Sequence, residues 1–329
     1  MTAPRGEALG SCDRPLADAY DAALYDLDGV LYLGAEPIPH AAESVRTARE
    51  RGMRAAYVTN NASRRPAVVA AHLTQLGIPA DPADVVTSAQ AAVRVLHQRV
   101  DAGALVLVLG APGLAQEVEL GGFRTTRTAE PDVVAVVQGY DAGTGWAQLA
   151  EASVALRSGA LWVATNTDST LPSPRGPLPG NGAMVAALRT ATGLKPVVAG
   201  KPEPALHLES VQRVNAQRPL VVGDRLDTDV LGAVRGGADS LLVLTGVVDV
   251  AQLLAAPRGS RPTYVAPNLR GLLQAQAPVA RGRCGDALAV LEDGVLRVAG
   301  SGVEVLRAAC DLAWRAADEG RPVVEVEGL

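Results

Sequence analysis

Lysine is nearly absent from this chain: among 329 residues only Lys195 and Lys201 carry an ammonium, and all other basic charge is arginine. Where so arginine-rich a sequence keeps a lysine, a compact point charge is indicated in place of a guanidinium fork. Aromatic residues are scarce too, with one phenylalanine, three tryptophans and six tyrosines, too few for a platform on which nucleic-acid bases stack. Lys+Arg total 30 against 35 Asp+Glu, a formal charge of -5, so no positive field is offered to nucleic acid or to an anionic membrane surface. No apolar run approaches the roughly 20 residues that span a bilayer, and the polar first twenty residues lack the apolar stretch of a signal peptide. The three cysteines, Cys12, Cys284 and Cys310, are widely spaced and form no CxxC pair, as expected for reduced thiols in a cytoplasmic protein. The four histidines show no HExxH or similar spacing, which argues against zinc. Nucleic-acid and membrane partners are therefore not expected.

What is present is a core. Hydrophobic residues make up 48% of the chain and charged ones 20%, enough apolar surface for about two domains at roughly 150 residues each. Residues 1–19 read as a loose leader. From Ala22 a short apolar run reaches Asp26 and breaks at Gly29, as a buried strand ending in a turn does. A helix over 40–51 stops at Gly52, a strand runs from Met53 to Val58, and a helix over 65–76 is closed by Gly77. This alternation continues with strands at 105–109, 133–137, 161–164, 197–199, 219–223 and 241–244 and helices near 146–158 and 182–191. It is the pattern of an α/β protein with a parallel sheet. Residues 168–182 form a Pro/Gly-rich loop of a length that is usually functional. After about 270 a Gln/Ala/Pro linker leads to a tail reading strand, turn at Asp293-Gly294, strand, helix over 303–318, strand.

Charged clusters sit where strands end: Asp26-Leu27-Asp28-Gly29, Thr59-Asn60-Asn61, Gly200-Lys201-Pro202, and Gly223-Asp224 followed by Asp227 and Asp229. In a parallel sheet all strand C-termini open on one edge, where ligands bind. Acidic groups with a lysine and small hydroxyl or amide donors suit a divalent cation and a phosphate, and oxygen-rich sites favour Mg²⁺. Taken singly the motifs are weak. DxDG alone reads as a solvated turn and lacks the EF-hand spacing; Gly200-Lys201 is not a P-loop. Their ordered co-occurrence at strand ends is what chance explains poorly.

Asp26-x-Asp28-Gly29-x-Leu31, Thr59-Asn60-Asn61, Gly200-Lys201-Pro202 and Gly223-Asp224-x-x-x-Thr228-Asp229 resemble the four ordered motifs of haloacid-dehalogenase-superfamily phosphatases. Thr165-Asn166-x-Asp168 and Pro179-Gly180-x-Gly182 are similar to the NagD-like, 4-nitrophenylphosphatase subfamily. The resemblance covers about residues 20–268. It implies a Rossmann-like core over 15–88 and 196–268 and an inserted α/β cap over 89–195. Residues 270–329 are then a small C-terminal α/β extension beyond the minimal family pattern.

The resemblance also implies roles. Asp26 would be the nucleophile forming an aspartyl-phosphate, and Asp28 the general acid and base. Mg²⁺ would sit on the Asp26 carboxylate, the Asp28 carbonyl and the Asp224 carboxylate. Lys201 would neutralise the phosphoryl oxygens, Thr59 and Asn60 would donate hydrogen bonds to them, and Asp229 would orient Lys201 or a metal-bound water. Asp227 reads as structural. In the cap, Asn166, Asp168 and Arg175 are candidate substrate contacts, with stabilisation of their own loop as the alternative. Dehalogenase and P-type ATPase patterns do not fit; phosphomutase shares both aspartates. The expected substrate is a small phosphorylated metabolite, first glycerol 3-phosphate, with 2-phosphoglycolate or a broad range of sugar and nucleotide phosphates as alternatives. A catalytically silent phosphate-ester binding module is the alternative of a different class. A homodimer formed through the cap or the extension completes the expectations.

Overall fold

The computed structural model describes residues 5–171, 175–176, 178–321 and 323–329. The chain divides into two compact units: residues 1–57, 73–79 and 211–329, and residues 58–72 and 80–210.

In the first unit the strand Ala22–Tyr25 is buried along its whole length. It is flanked by Pro219–Gly223 and by the start of Arg54–Thr59, both parallel to it, with Tyr25 opposite Val222 and Tyr57. Asp239–Val243 and then Tyr264–Ala266 extend the sheet beyond Pro219–Gly223, again in parallel. Aliphatic residues dominate these strands because both faces of a parallel sheet are covered. The rings of Tyr25 and Tyr57 stack at 6.0 Å, and burial raises the Tyr25 hydroxyl well above its ordinary range.

The same unit contains the tail. Ala287–Glu292 and Val295–Ala299 form an antiparallel hairpin in which Glu292 faces Val295. The turn residues Asp293 (φ 50°) and Gly294 (φ 82°) both have positive φ, as a two-residue hairpin turn with right-handed strand twist requires. The helix Val303–Asp318 turns an apolar face inward. Its Leu306, Ala309, Cys310, Ala313 and Trp314 share one hydrophobic cluster with Leu242 and Val265 of the parallel sheet and with Leu253 and Leu9. Trp314 donates its indole N–H to the Leu253 carbonyl at 2.9 Å, and Arg261 lies 5.4 Å from its ring centroid.

Two segments depart from the expected picture. The leader is not loose over its described part: Leu16 is fully buried and the Cys12 backbone exchanges hydrogen bonds with Gln276 at 2.9 and 2.7 Å. Nor does the Gln/Ala/Pro stretch after about 270 run free, since Leu272 of the 3₁₀ turn Leu269–Leu273 and Gln276 are both buried. Buried Arg307 joins both segments to the tail helix, donating to Gln276 Oε1 (2.6 Å), Gly10 O (3.0 Å) and Ala277 O (2.7 Å). Polar local composition hid this burial because the partners are distant in sequence.

The second unit is built on a parallel sheet in the order Val197–Val198, Leu161–Ala164, Val133–Gln138, Leu105–Leu109, Arg124–Thr126. Its core comprises Leu105, Leu107, Val136, Leu156, Trp162 and Leu188 among others, and the Trp162 indole donates to Gln138 Oε1 at 3.1 Å. Trp146, by contrast, is 84% exposed at the start of the helix Trp146–Arg157. Helices also span Ser88–His97 and Pro112–Leu120. Between Leu161–Ala164 and the helix Asn181–Thr192, the short strands Thr170–Leu171 and Leu178–Pro179 pair antiparallel.

Candidate active site

Parallel register sets the carboxylate group of the first unit. Because Tyr25 and Val222 are partners in adjacent parallel strands, Asp26 and Asp224 emerge beside each other on the same edge. The ladder continues one step further, with the Asp26 N–H donating to Val222 O at 2.8 Å. Asp229 is returned to this edge by the tight turn Leu226–Val230, in which the Val230 N–H reaches back five residues to Arg225 O at 3.1 Å. Such π-type turns concentrate at functional sites. Asp229 packs directly on Gly223, where a Cβ would stand 2.2 Å from its own Cβ. One carboxylate oxygen from each of Asp26, Asp224 and Asp229 lies within 4.8 Å of the other two, and Asp224 and Asp229 are each only 1% exposed. Carboxylates this close repel one another unless positive charge is shared among them. All-oxygen donors on a rigid sheet edge fit a hard divalent cation such as Mg²⁺.

Backbone shapes the space round Asp224. A Cβ on Gly29 (φ +83°) would lie 2.4 Å from its Oδ2, and one on Gly246 2.0 Å away. The same oxygen accepts the Val247 N–H at 2.7 Å, and Thr245 Oγ1 donates to Gly29 O at 2.6 Å. This Thr245–Val247 turn was not singled out from sequence; its signal was a Thr-Gly step following a strand on the same sheet edge. Asp28 sits in the turn closed by the Gly29 N–H to Tyr32 O at 2.8 Å. Its side chain is exposed and stands outside the three-carboxylate group. Asp227 pairs at the surface with Arg225 at 2.9 Å.

The second unit assembles the remaining candidates. Thr59 and Lys201 are buried. Thr59 Oγ1 accepts the Asn61 N–H at 3.1 Å, and Asn61 Oδ1 accepts the Ser63 N–H at 2.8 Å, a local Asx turn that shapes the loop after the strand. The Asn60 side chain accepts the Lys201 N–H at 2.8 Å and donates to Lys201 O at 3.2 Å and to both Asp168 carboxylate oxygens at 3.3 Å. Asn60 O in turn accepts Ser88 Oγ (2.6 Å) and Asn166 Nδ2 (2.8 Å). Buried Asn166 also accepts the Asp168 N–H at 3.2 Å and, through its carbonyl, Asn181 Nδ2 at 2.7 Å, so its contacts hold the loop. Gly180 and Gly182 pass so close to this loop that a Cβ on either would meet the Asp168 or Thr167 carbonyl oxygen at 2.3 or 2.2 Å. Arg175 is exposed; its neighbours 172–174 and 177 lie outside the described residues. Ser88, a partner of Asn60, had no sequence signal beyond its place at a helix start.

A largely buried group of carboxylates that suits a hard cation, with an aspartate directly after the first strand and a second aspartate two residues on, has the chemistry of a hydrolase that works on phosphate esters. The chain belongs to the haloacid dehalogenase-like hydrolases. A family model of that description matches residues 23–124, and a second, HAD-hydrolase-like model matches 198–272. The D-glycerol 3-phosphate phosphatase of Mycobacterium tuberculosis is 46% identical over 95% of this chain and 92% of its own length. The crystal structure of a glycerol phosphate phosphatase from the same organism in complex with magnesium superposes with a TM-score of 0.86 at 44% identity, covering 96% of both chains. The 5'-nucleotidase YutF of Bacillus subtilis is 40% identical over 69% of this chain and 88% of its own.

Proposed function

We propose that this chain is a Mg²⁺-dependent phosphatase that hydrolyses glycerol 3-phosphate to glycerol and phosphate in the cytoplasm. The observation that carries the reaction class is the close group of Asp26, Asp224 and Asp229 at the edge where the first strand ends. The substrate follows the relative named for D-glycerol 3-phosphate.

In this reading Asp26 attacks phosphorus in line, the phosphoryl group passes to its carboxylate, and the glycerol oxygen departs. Splitting one hard displacement into two lowers each barrier. Asp28 protonates the departing oxygen, then takes the proton of the water that opens the aspartyl-phosphate, which regenerates Asp26; such acid–base help is worth about 10²–10⁴-fold. The exposure of Asp28 suits a group that must meet both substrate and water. Asp26 and Asp224, with the Asp28 carbonyl, would hold the ion, and Asp229 would support them. Bound Mg²⁺ supplies the positive charge that lets a carboxylate approach a phosphate dianion. Lys201 and the Thr59 hydroxyl stabilise charge on the phosphoryl oxygens. The parallel α/β unit carrying the 170–179 hairpin acts as the cap, and Asp168 and Arg175 contact the substrate's polyol end.

The test is phosphate release from glycerol 3-phosphate, 2-phosphoglycolate and a 5'-nucleotide, with Mg²⁺ and with EDTA, for the wild type and Asp26→Asn. The expected kcat/KM favours glycerol 3-phosphate by more than tenfold, about 1.4 kcal/mol of transition-state binding, and activity vanishes with EDTA or Asp26→Asn. Preference for another ester overturns the substrate. Full release by Asp26→Asn overturns the covalent path, and release from no ester leaves a binding module.

A further inference from the structure

A primary carboxamide has two N–H hydrogens and one acceptor oxygen, and in Asn60 all of them are engaged by protein. The oxygen takes the Lys201 N–H and the nitrogen gives to the Lys201 carbonyl. One side chain thus grips both main-chain groups of one residue, as a neighbouring strand would. The remaining N–H is directed to Asp168, which sets which way round the amide lies. There is no slack in the chain on the lysine's near side: a Cβ on Gly200 would stand 2.5 Å from Asn60 Oδ1 and 2.4 Å from Thr165 O. Asn60 is itself held by Ser88 and Asn166 through its carbonyl.

We infer that Asn60 is the positioning residue of Lys201, acting through the lysine's backbone and not by donating its side-chain N–H to the phosphoryl group. The inference rests on the phosphatase reading for its catalytic consequence but not for its geometry. Lys201 is buried, so its ammonium reaches a reacting group only from the backbone position that this grip defines. Electrostatic stabilisation is sensitive to such placement, and a displacement of about 1 Å costs on the order of 10²-fold. Asn60→Asp is close to isosteric. It keeps the acceptor for the Lys201 N–H, removes the donor to the Lys201 carbonyl, and sets a second negative charge against Asp168.

Two measurements test this. The first is a double-mutant cycle in kcat and KM with Asn60→Asp and Lys201→Met. Asn60→Asp is expected to lower kcat by about 10- to 100-fold with KM little changed, and to change kcat by less than about twofold once Lys201 is methionine. Equal losses in both backgrounds overturn the inference, because Asn60 would then act independently of the lysine. The second needs no turnover. Biosynthetic ¹³C-lysine labelling gives signals from only two residues, Lys195 and Lys201, and Lys195 serves as the internal reference. Asn60→Asp is expected to move the Lys201 Cε signal and leave that of Lys195 in place; an unmoved Lys201 signal overturns the inference. A wild type that releases no phosphate overturns the proposed function alone, since the lysine spectrum still reads the grip.

Discussion

The Asp224 carboxylate lies against two glycines, and that contact makes a sharp prediction. A methyl group at Gly246 would fall 2.0 Å from Asp224 Oδ2, so Gly246→Ala must push the carboxylate aside and break its bond from the Val247 N–H. The expected outcome is a fall in kcat/KM of about 10²-fold, with a raised Mg²⁺ requirement and a Tm within a few degrees of wild type. Titration of activity against Mg²⁺ checks it. At this scale the sequence was readable where a residue's chemistry is unusual for its position. Asp26, Asp28, Asp224 and Lys201 stand at strand ends, and a carboxylate or a rare lysine there has few structural reasons to exist. The grip of Asn60 on Lys201 was not readable. The two residues are 141 positions apart, and nothing local distinguishes an amide that binds backbone from one that binds phosphate.

Elements were legible when apolar runs were bounded by breakers, as in Ala22–Tyr25, Leu105–Leu109 and Leu161–Ala164. They were missed when the signal was a cap alone: Thr87 and Gln90 form the reciprocal capping box that starts Ser88–His97, a pattern that can be read from sequence. The tail helix supplies a pH prediction. Its last residue, Asp318, bonds the buried Arg261 guanidinium at 2.8 Å and Arg258 at 2.9 Å. These hydrogen bonds hold the Asp318 carboxyl well below the usual carboxylate range. A group depressed in the folded state adds stability above its unfolded value of 3.8 and loses it as pH falls through the folded value. Asp318→Asn is therefore expected to melt below wild type at pH 7, with the difference in Tm shrinking as pH falls from about 4 towards 2. Calorimetry across that interval reads the sign directly.

At the level of the whole chain, the hydrophobic cluster of the first unit joins residues on both sides of position 270. Deleting 271–329 removes Leu296, Leu306, Ala309 and Trp314 and lays bare Leu242, Leu253 and Val265. Loss of one buried tryptophan side chain alone costs about 3–5 kcal/mol, comparable to the roughly 5–15 kcal/mol that stabilises a typical protein. The shortened chain is expected to aggregate or to bind ANS without a cooperative melt, which expression trials and dye binding will show. The resemblance marks 270–329 as an extension beyond the minimal family pattern; the burial that ties it to the parallel sheet depends on contacts no local pattern displays.

The placement of the three tryptophans also gives the protein its own optical reporters. Trp314 is buried in the first unit and Trp162 in the second, whereas Trp146 is largely in water. Iodide will quench Trp146 first, removing the red part of the emission and leaving the blue-shifted light of the two buried indoles. With Trp162 replaced by phenylalanine, that remaining light belongs to Trp314, so a red shift during denaturation times the opening of the first unit without any attached dye.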